Sequence, residues 1–197
     1  CLRTLFAIEG MTMFRFLCVS LFAALLTGCA SSAKVENMQI NDQQAHTQSY
    51  DAALRDNLQV ADVEGGKKTN PLWTSQIDGA DFRAALEQSL GKAGLLGQGD
   101  KAAYSLRTKL VSLDQPVFGF NFTVTSTVEY SLVENAGGRV VWQETVKEPF
   151  TAGVGDAFYG VTRLRLANEG SARANISTLL QRLGGLKLGA GQVSLQN

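Results

Sequence analysis

FGFNFTVTSTVEYSLV, residues 118–133, is the stretch on which the reading of the fold turns. Phe118, Phe120, Phe122, Val124, Val128, Tyr130 and Leu132 fall on alternate positions, with Ser126 the one polar break. Asn121, Thr123, Thr125, Thr127, Glu129 and Ser131 lie between them. A period of two over this length predicts a β-strand with one apolar and one wet face. Its Thr, Val, Phe and Tyr content suits a pleated surface. Such a strand cannot bury its apolar face alone, so further strands and a helical layer must cover it.

Working outward, residues 103–113 place Tyr104, Leu106, Thr108 and Leu110 on one side against Ser105, Arg107 and Lys109. Asp114-Gln115-Pro116 turns that strand into the central one. Beyond it, Asn135-Ala136-Gly137-Gly138 is a hairpin signal leading into residues 139–147, where Val140, Trp142 and Val146 repeat the alternation. These three strands predict an antiparallel meander with one face in water. A shorter strand is expected over 58–63, ended by the turn residues of 65–71, after which Trp73 would anchor its loop on the core or serve a partner.

Helical spacing appears twice. Residues 78–96 carry Phe82, Ala85, Leu86, Ser89, Leu90 and Ala93 on one stripe, with Asp78 as cap, Asp81 in the first turn, and Gly94 or Gly97 to end the helix. Residues 163–183 carry Leu166, Gly170, Ile176, Leu179, Leu180 and Leu183 toward the sheet. Gly170 costs ~1 kcal/mol against Ala there, which suggests that it permits a close approach of helix to sheet. The predicted fold class is α+β, an antiparallel three- to four-stranded sheet with two helices packed on one face, in the order β-α-β-β-β-α. It occupies residues 58–183 as a single domain. Residues 184–197 have little to bury and are expected to fray as a flexible tail.

The N-terminal part reads as an address. After Met13 and Arg15, an apolar run over 16–26 ends in Leu26-Thr27-Gly28-Cys29. The run of about 11 residues falls short of the ~20 that span a bilayer, as in a signal segment. The Leu-Thr-Gly-Cys ending resembles the bacterial lipobox, which implies acylation of Cys29 and removal of residues 1–28; the start would be Met11 or Met13. An ordinary secretory peptide with an incidental cysteine is the plainer alternative. Ala30 rather than Asp follows the cysteine, which by the same resemblance implies the periplasmic face of the outer membrane. Residues 29–57, polar and without a sustained period, are read as the lipidated Cys29 and a flexible tether.

Composition narrows the function. The full chain of 197 residues carries 18 basic and 18 acidic side chains. Removing 1–28 takes away Arg3, Arg15 and Glu9 and leaves 16 against 17. No basic excess argues for nucleic acid as a partner. Of three cysteines, Cys1 and Cys18 lie in the removed part, so no disulfide or thiolate metal site is expected within one mature chain. His46, the only histidine, falls in the tether and is read as solvated, which leaves no base for a nucleophilic triad. No phosphate-loop or dinucleotide spacing occurs among the glycines. No cofactor, no metal and no catalytic residue is expected; a carboxylate set from Glu144, Glu148 and Asp156 is the enzymatic alternative, an envelope hydrolase or acyltransferase.

The order tether, strand, helix, three-strand meander, helix looks like a class of small envelope lipoproteins. Its members include the lipopolysaccharide-assembly lipoprotein of the outer-membrane translocon, YajG-type lipoproteins and auxiliary lipoproteins of lipid-exporting ABC systems. The resemblance implies a non-enzymatic binding or assembly factor in envelope biogenesis or lipid transport, with an envelope protein or lipid as partner. It carries over no binding residue. Topology supplies one: an up-down meander brings Phe118 and Phe120 near Phe150, Phe158 and Tyr159, either as an exposed binding rim or as closure of the core's end. A second candidate is the wet face, where Thr123, Thr125 and Thr127 with Arg107 and Lys109 would meet an anionic partner, or an edge strand would pair with another chain.

Overall fold

The computed structural model describes residues 30–70, 74–189 and 192–195. The signal segment, the acylation candidate Cys29 and Trp73 lie outside the described residues. In chain order the elements are α1 (Val35–Met38), α2 (Asp42–Ala45), β1 (Leu58–Gly65), α3 (Gly79–Lys92), a single 3-10 turn (Gly99–Lys101), β2 (Tyr104–Asp114), β3 (Phe122–Glu134), β4 (Val140–Ala152), α4 (Gly160–Gly184), β5 (Leu186–Gly189) and β6 (Gln192–Leu195).

The central alternation forms β3 from Phe122 onward, with Phe122, Val124, Ser126, Val128, Tyr130 and Leu132 all buried. Residues 118–121, expected as the start of this strand, are loop instead, because β2 ends opposite Thr125 and β4 opposite Phe122 and neither reaches them. β3 pairs antiparallel with β2, Leu106 opposite Leu132, and with β4, Val128 opposite Val146 and Leu132 opposite Trp142. The hairpin at 135–138 closes with Gly138 N–H on the Glu134 carbonyl. Sheet order is β1-β2-β3-β4, so β4 is an edge, and it carries Pro149 opposite Thr125.

The sheet is not wholly antiparallel. β1 runs parallel to β2, Leu58 beside Tyr104 and Val60 beside Leu106. The reason is the connection: α3 carries the chain back along the sheet before β2 begins, and neighbouring strands joined by such a crossover point the same way. α3 starts where Asp78 accepts from Ala80 N–H at 2.9 Å, and it buries Phe82, Ala85, Leu86, Ser89 and Leu90. β1 ends at Gly65, φ +81°, where a side chain would strike the Leu110 carbonyl.

Two segments expected to be free of the domain are packed into it. Residues 30–57 are not a tether: Met38, Ile40, Ala45, Tyr50 and Leu54 join the main core. Ile40 N–H donates to Ser89 Oγ at 3.2 Å, Lys92 Nζ donates to the Ile40 carbonyl at 2.9 Å, and Arg173 donates to the Asn37 carbonyl at 2.8 Å. Burial is worth about 1.5–3 kcal/mol for each large apolar side chain, enough to dock a segment with no helical or strand period of its own. Leu186–Gly189 (β5) pairs antiparallel with Gln192–Leu195 (β6), with Leu186 buried, instead of belonging to a wholly free tail. Among the described residues there are therefore four helices rather than two, with α3 on β1 and α4 across β3 and β4.

α4 lies against the sheet through a small and polar middle. Gly170 meets the Phe150 ring so closely that a Cβ there would overlap it. Ser171 Oγ donates to the Glu148 carbonyl at 2.7 Å and accepts from Ser126 N–H at 2.8 Å. Asn175 accepts from the Tyr130 hydroxyl at 2.9 Å and donates to the Val146 carbonyl at 3.1 Å. Ser126, the polar break in the central strand, is thus fully partnered in the core.

Two outcomes follow from this packing. Gly170→Ala gains about 1 kcal/mol of helix propensity, but overlap with a ring in a packed contact costs about 1–3 kcal/mol. A net loss is expected in urea unfolding, and it should shrink when Phe150→Leu is added, a coupling read from the double-mutant cycle. Burial pushes the ionisation of the Tyr130 hydroxyl well above its ordinary value of 10.0. The unfolded chain sheds this proton first, so the stability is complete below pH about 10 and falls as pH rises beyond it. The stability gap between wild type and Tyr130→Phe, set at neutral pH by the lost Asn175 bond, should therefore narrow above pH about 10.

Candidate functional site

The register fixes what lies at one end of the sheet. Phe122 pairs with Ala152 and Asp114 with Thr125, so the β2–β3 loop, the β4–α4 loop and the start of α4 share that end. Parallel pairing adds a fourth part, the turn after β1.

The first loop leaves from Gln115, whose side-chain amide donates to Asn168 Oδ1 at 2.6 Å and to the Ser75 carbonyl at 2.9 Å. Pro116, Val117, Phe118, Gly119, Phe120 and Asn121 follow without a charge. The second loop is fixed from within. Gly153 N–H donates to Asp156 Oδ2 at 2.7 Å, and Arg163, though only 7% exposed, donates to the carbonyls of Ala157 at 2.9 Å and Phe158 at 2.7 Å. The Arg163 guanidinium also lies 5.5 Å from the Phe122 ring centroid. Its charge is thereby committed to the loop backbone, and the side chains of Phe158 and Tyr159 face outward. Those two rings meet edge to face, centroids 5.5 Å apart.

Four of the five rim residues come together at this end in water: Phe118 is 87% exposed, Phe120 84%, Phe158 87% and Tyr159 61%. The reading of these four as core closure is thereby overturned. Phe150 stands apart: it is half-buried under α4, against Gly170, with the Arg173 guanidinium 5.9 Å from its ring centroid. Sequence reasoning missed Val117, Val154 and Val161, which add to the exposed apolar surface. They sit in loop or helix-start positions where no period marks them. Beside the rim runs an open groove of about 740 Å³, lined by Gln76, Gln115, Phe118, Phe122, Val161 and Leu164 among others.

The wet face offers a weaker site. Lys109 stands between Glu129 and Glu64 on its neighbouring strands, and Asp62 near it pairs with Arg83 at 2.6 Å. Thr123 and Thr151 hydroxyls bond each other at 2.8 Å. Interleaved charges of both signs leave little net attraction for an anion. The three carboxylates of the enzymatic alternative have separate engagements. Glu144 pairs with Arg182 at 2.9 Å, Glu148 accepts from Thr178 at 2.7 Å, and Asp156 holds Gly153. His46 is exposed at the end of α2. Among the described residues, no group of His, Cys, Asp or Glu could hold a metal ion, and no helix is long and apolar enough to cross a membrane.

No family model matches the chain, and no curated protein matches it. Its fold is similar to that of protein XCC0632 from Xanthomonas campestris, of the family DUF330, at 12% identity over 66% of this chain and 86% of that one, TM-score 0.50. A candidate lipoprotein from Caulobacter crescentus (16% identity, 68% and 90% covered, TM-score 0.49) and a minor lipoprotein from Acinetobacter baumannii (11%, 66% and 92%, TM-score 0.46) are also similar. At these identities the likeness is one of fold.

The strut role of Arg163 is open to test. In Arg163→Met the two charge-assisted bonds are lost, each worth about 1.5–3 kcal/mol before water replaces them. Amide exchange over 153–159 should quicken by about tenfold or more, while the melting temperature moves little because the opening is local.

Proposed function

We propose that this chain is a bacterial envelope lipoprotein, acylated at Cys29, that binds or assembles rather than catalyses. In this reading it stands at the periplasmic face of the outer membrane. Its work lies in envelope biogenesis or lipid transport, as the resemblance to small envelope lipoproteins implies. The observation that carries the binding part is the set of aromatic side chains held in water at one end of the sheet, beside an apolar groove. Water-exposed aromatics on two internally braced loops mark a surface that gains by being covered. Four elements contribute to that end, and the bonds of Gln115 and Arg163 hold the loops without using the rings. The separate engagements of Glu144, Glu148 and Asp156 speak against a shared catalytic centre there. Gln76 and Gln115, paired at 3.1 Å, offer orienting polar atoms on the groove wall.

The test is Phe158→Ala with Tyr159→Ala, combined with a photo-crosslinking residue at Val117 in intact cells. Truncating exposed rings leaves stability within about 0.5 kcal/mol. Loss of two anchors at about 2 kcal/mol each would remove most crosslinked product. Retained crosslinking would place the binding surface elsewhere.

A further inference from the structure

We infer that the exposed side chains of the rim enter the acyl region of the same bilayer that holds the Cys29 anchor, so that the domain stands end-on upon the membrane. This rests on the lipoprotein reading above and names the surface that covers the rim.

The first argument is the absence of slack between anchor and domain. Ser75 Oγ donates to the Ser31 carbonyl at 2.8 Å, Arg165 donates to Ser31 Oγ at 3.2 Å, and Ala33 N–H donates to the Gln76 carbonyl at 3.3 Å. Two peptide steps join Ser31 to position 29, a reach of about 7 Å at full extension. An acyl chain on Cys29 therefore brings the Ser75–Arg165 corner of the domain down to the lipid surface.

The second argument is where that corner lies. Gln76, next to Ser75, lines the same groove as Phe118 and Val161, and Arg165 sits about one and a half turns into α4, which begins directly after Phe158 and Tyr159. Anchor and rim leave the domain at one end.

The third argument is chemical. The stretch 116–121 has no charge, and over 153–161 the one charge, Asp156, is turned onto Gly153 N–H. Isolated Phe prongs on two loop tips, with a Tyr beside them, suit the boundary of headgroups and acyl chains. Parallel β1 delivers Lys67 and Lys68, both exposed, to the same end, where they would meet anionic headgroups. A fully exposed apolar side chain gains free energy on leaving water, and here the acyl anchor removes the entropic cost of approach.

Once Cys29 is acylated, Phe120→Cys or Phe158→Cys supplies a single free thiol for a nitroxide. The processed, acylated protein is reconstituted into phosphatidylethanolamine and phosphatidylglycerol vesicles. Collision rates with oxygen and with a water-soluble nickel chelate are then compared, using Ala136→Cys in the opposite hairpin as the aqueous reference. The labels at 120 and 158 should collide more with oxygen than with nickel, and the label at 136 the reverse. Nickel accessibility at 120 and 158 equal to that at 136 would overturn the inference, whether or not crosslinking shows a protein partner at the rim. Embedded labels with no crosslinked partner would sustain it and remove the partner reading.

Discussion

The buried middle of α4 is the constraint from which the remaining arrangement follows. Glu169, 1% exposed, has both oxygens occupied: Oε1 accepts from Lys34 N–H at 2.9 Å and Oε2 from Asn37 Nδ2 at 2.8 Å, with Arg165 Nε 3.6 Å away. Its neighbour Asn168 takes the Ser75–Gln115 loops, and Ser171 and Asn175 take β3 and β4. One helix therefore meets the backbone of four separate segments, at Lys34, at Ser75, at Ser126 in β3, and at Val146 and Glu148 in β4. Buried polar groups are costly unless all are partnered, so this set admits one seating of the helix and not a sliding family. Gly170 sits between them because the seating is too close for a side chain.

That seating also shapes the far end of the domain. With α4 pressed onto β3 and β4, its first turn emerges beside the start of β3, and Arg163 turns inward to hold the loop before it. Gln115 is fixed by Asn168, so the β2–β3 loop is positioned by the same helix. The N-terminal segment, seated on Glu169, delivers Ser31 to that end as well. The apolar rim, the groove and the chain's point of entry are thus consequences of one helix position.

The parts of this arrangement that were legible in the sequence are those with a period. Strand β3 and its partners, the hairpin at 135–138, the Asp78 cap and the α3 stripe were all read from spacing. Parallel pairing of β1 is implicit in the strand–helix–strand order, but the residue period of β1 carries no sign of strand direction, which is set by the α3 crossover. Residues 30–57 were misread because Met38, Ile40, Ala45, Tyr50 and Leu54 are spaced by tertiary demand and match no helix or strand template. Within 167–176, Asn168, Glu169, Ser171 and Asn175 are polar residues buried on the face of α4 that packs against the rest of the domain. Their partners lie on elements up to 135 residues away, and no local pattern could reveal them. Within the rim, Phe118, Phe120, Phe158 and Tyr159 lie in water at one end of the sheet, whereas Phe150 lies within β4 and its alternation phase turns it under α4.

The margin of the sheet carries one more implication. β4 bonds to β3 on one side, and Pro149 within it has no N–H to offer on either. A foreign strand laid along this border would lose its ladder partway, after the stretch that begins at Val140. At the other border, β1 is short and bulged between Val60 and Val63. Lateral growth of the sheet into fibrils or swapped dimers is therefore discouraged at both borders, and the chain can be crowded at a surface without templating its own aggregation.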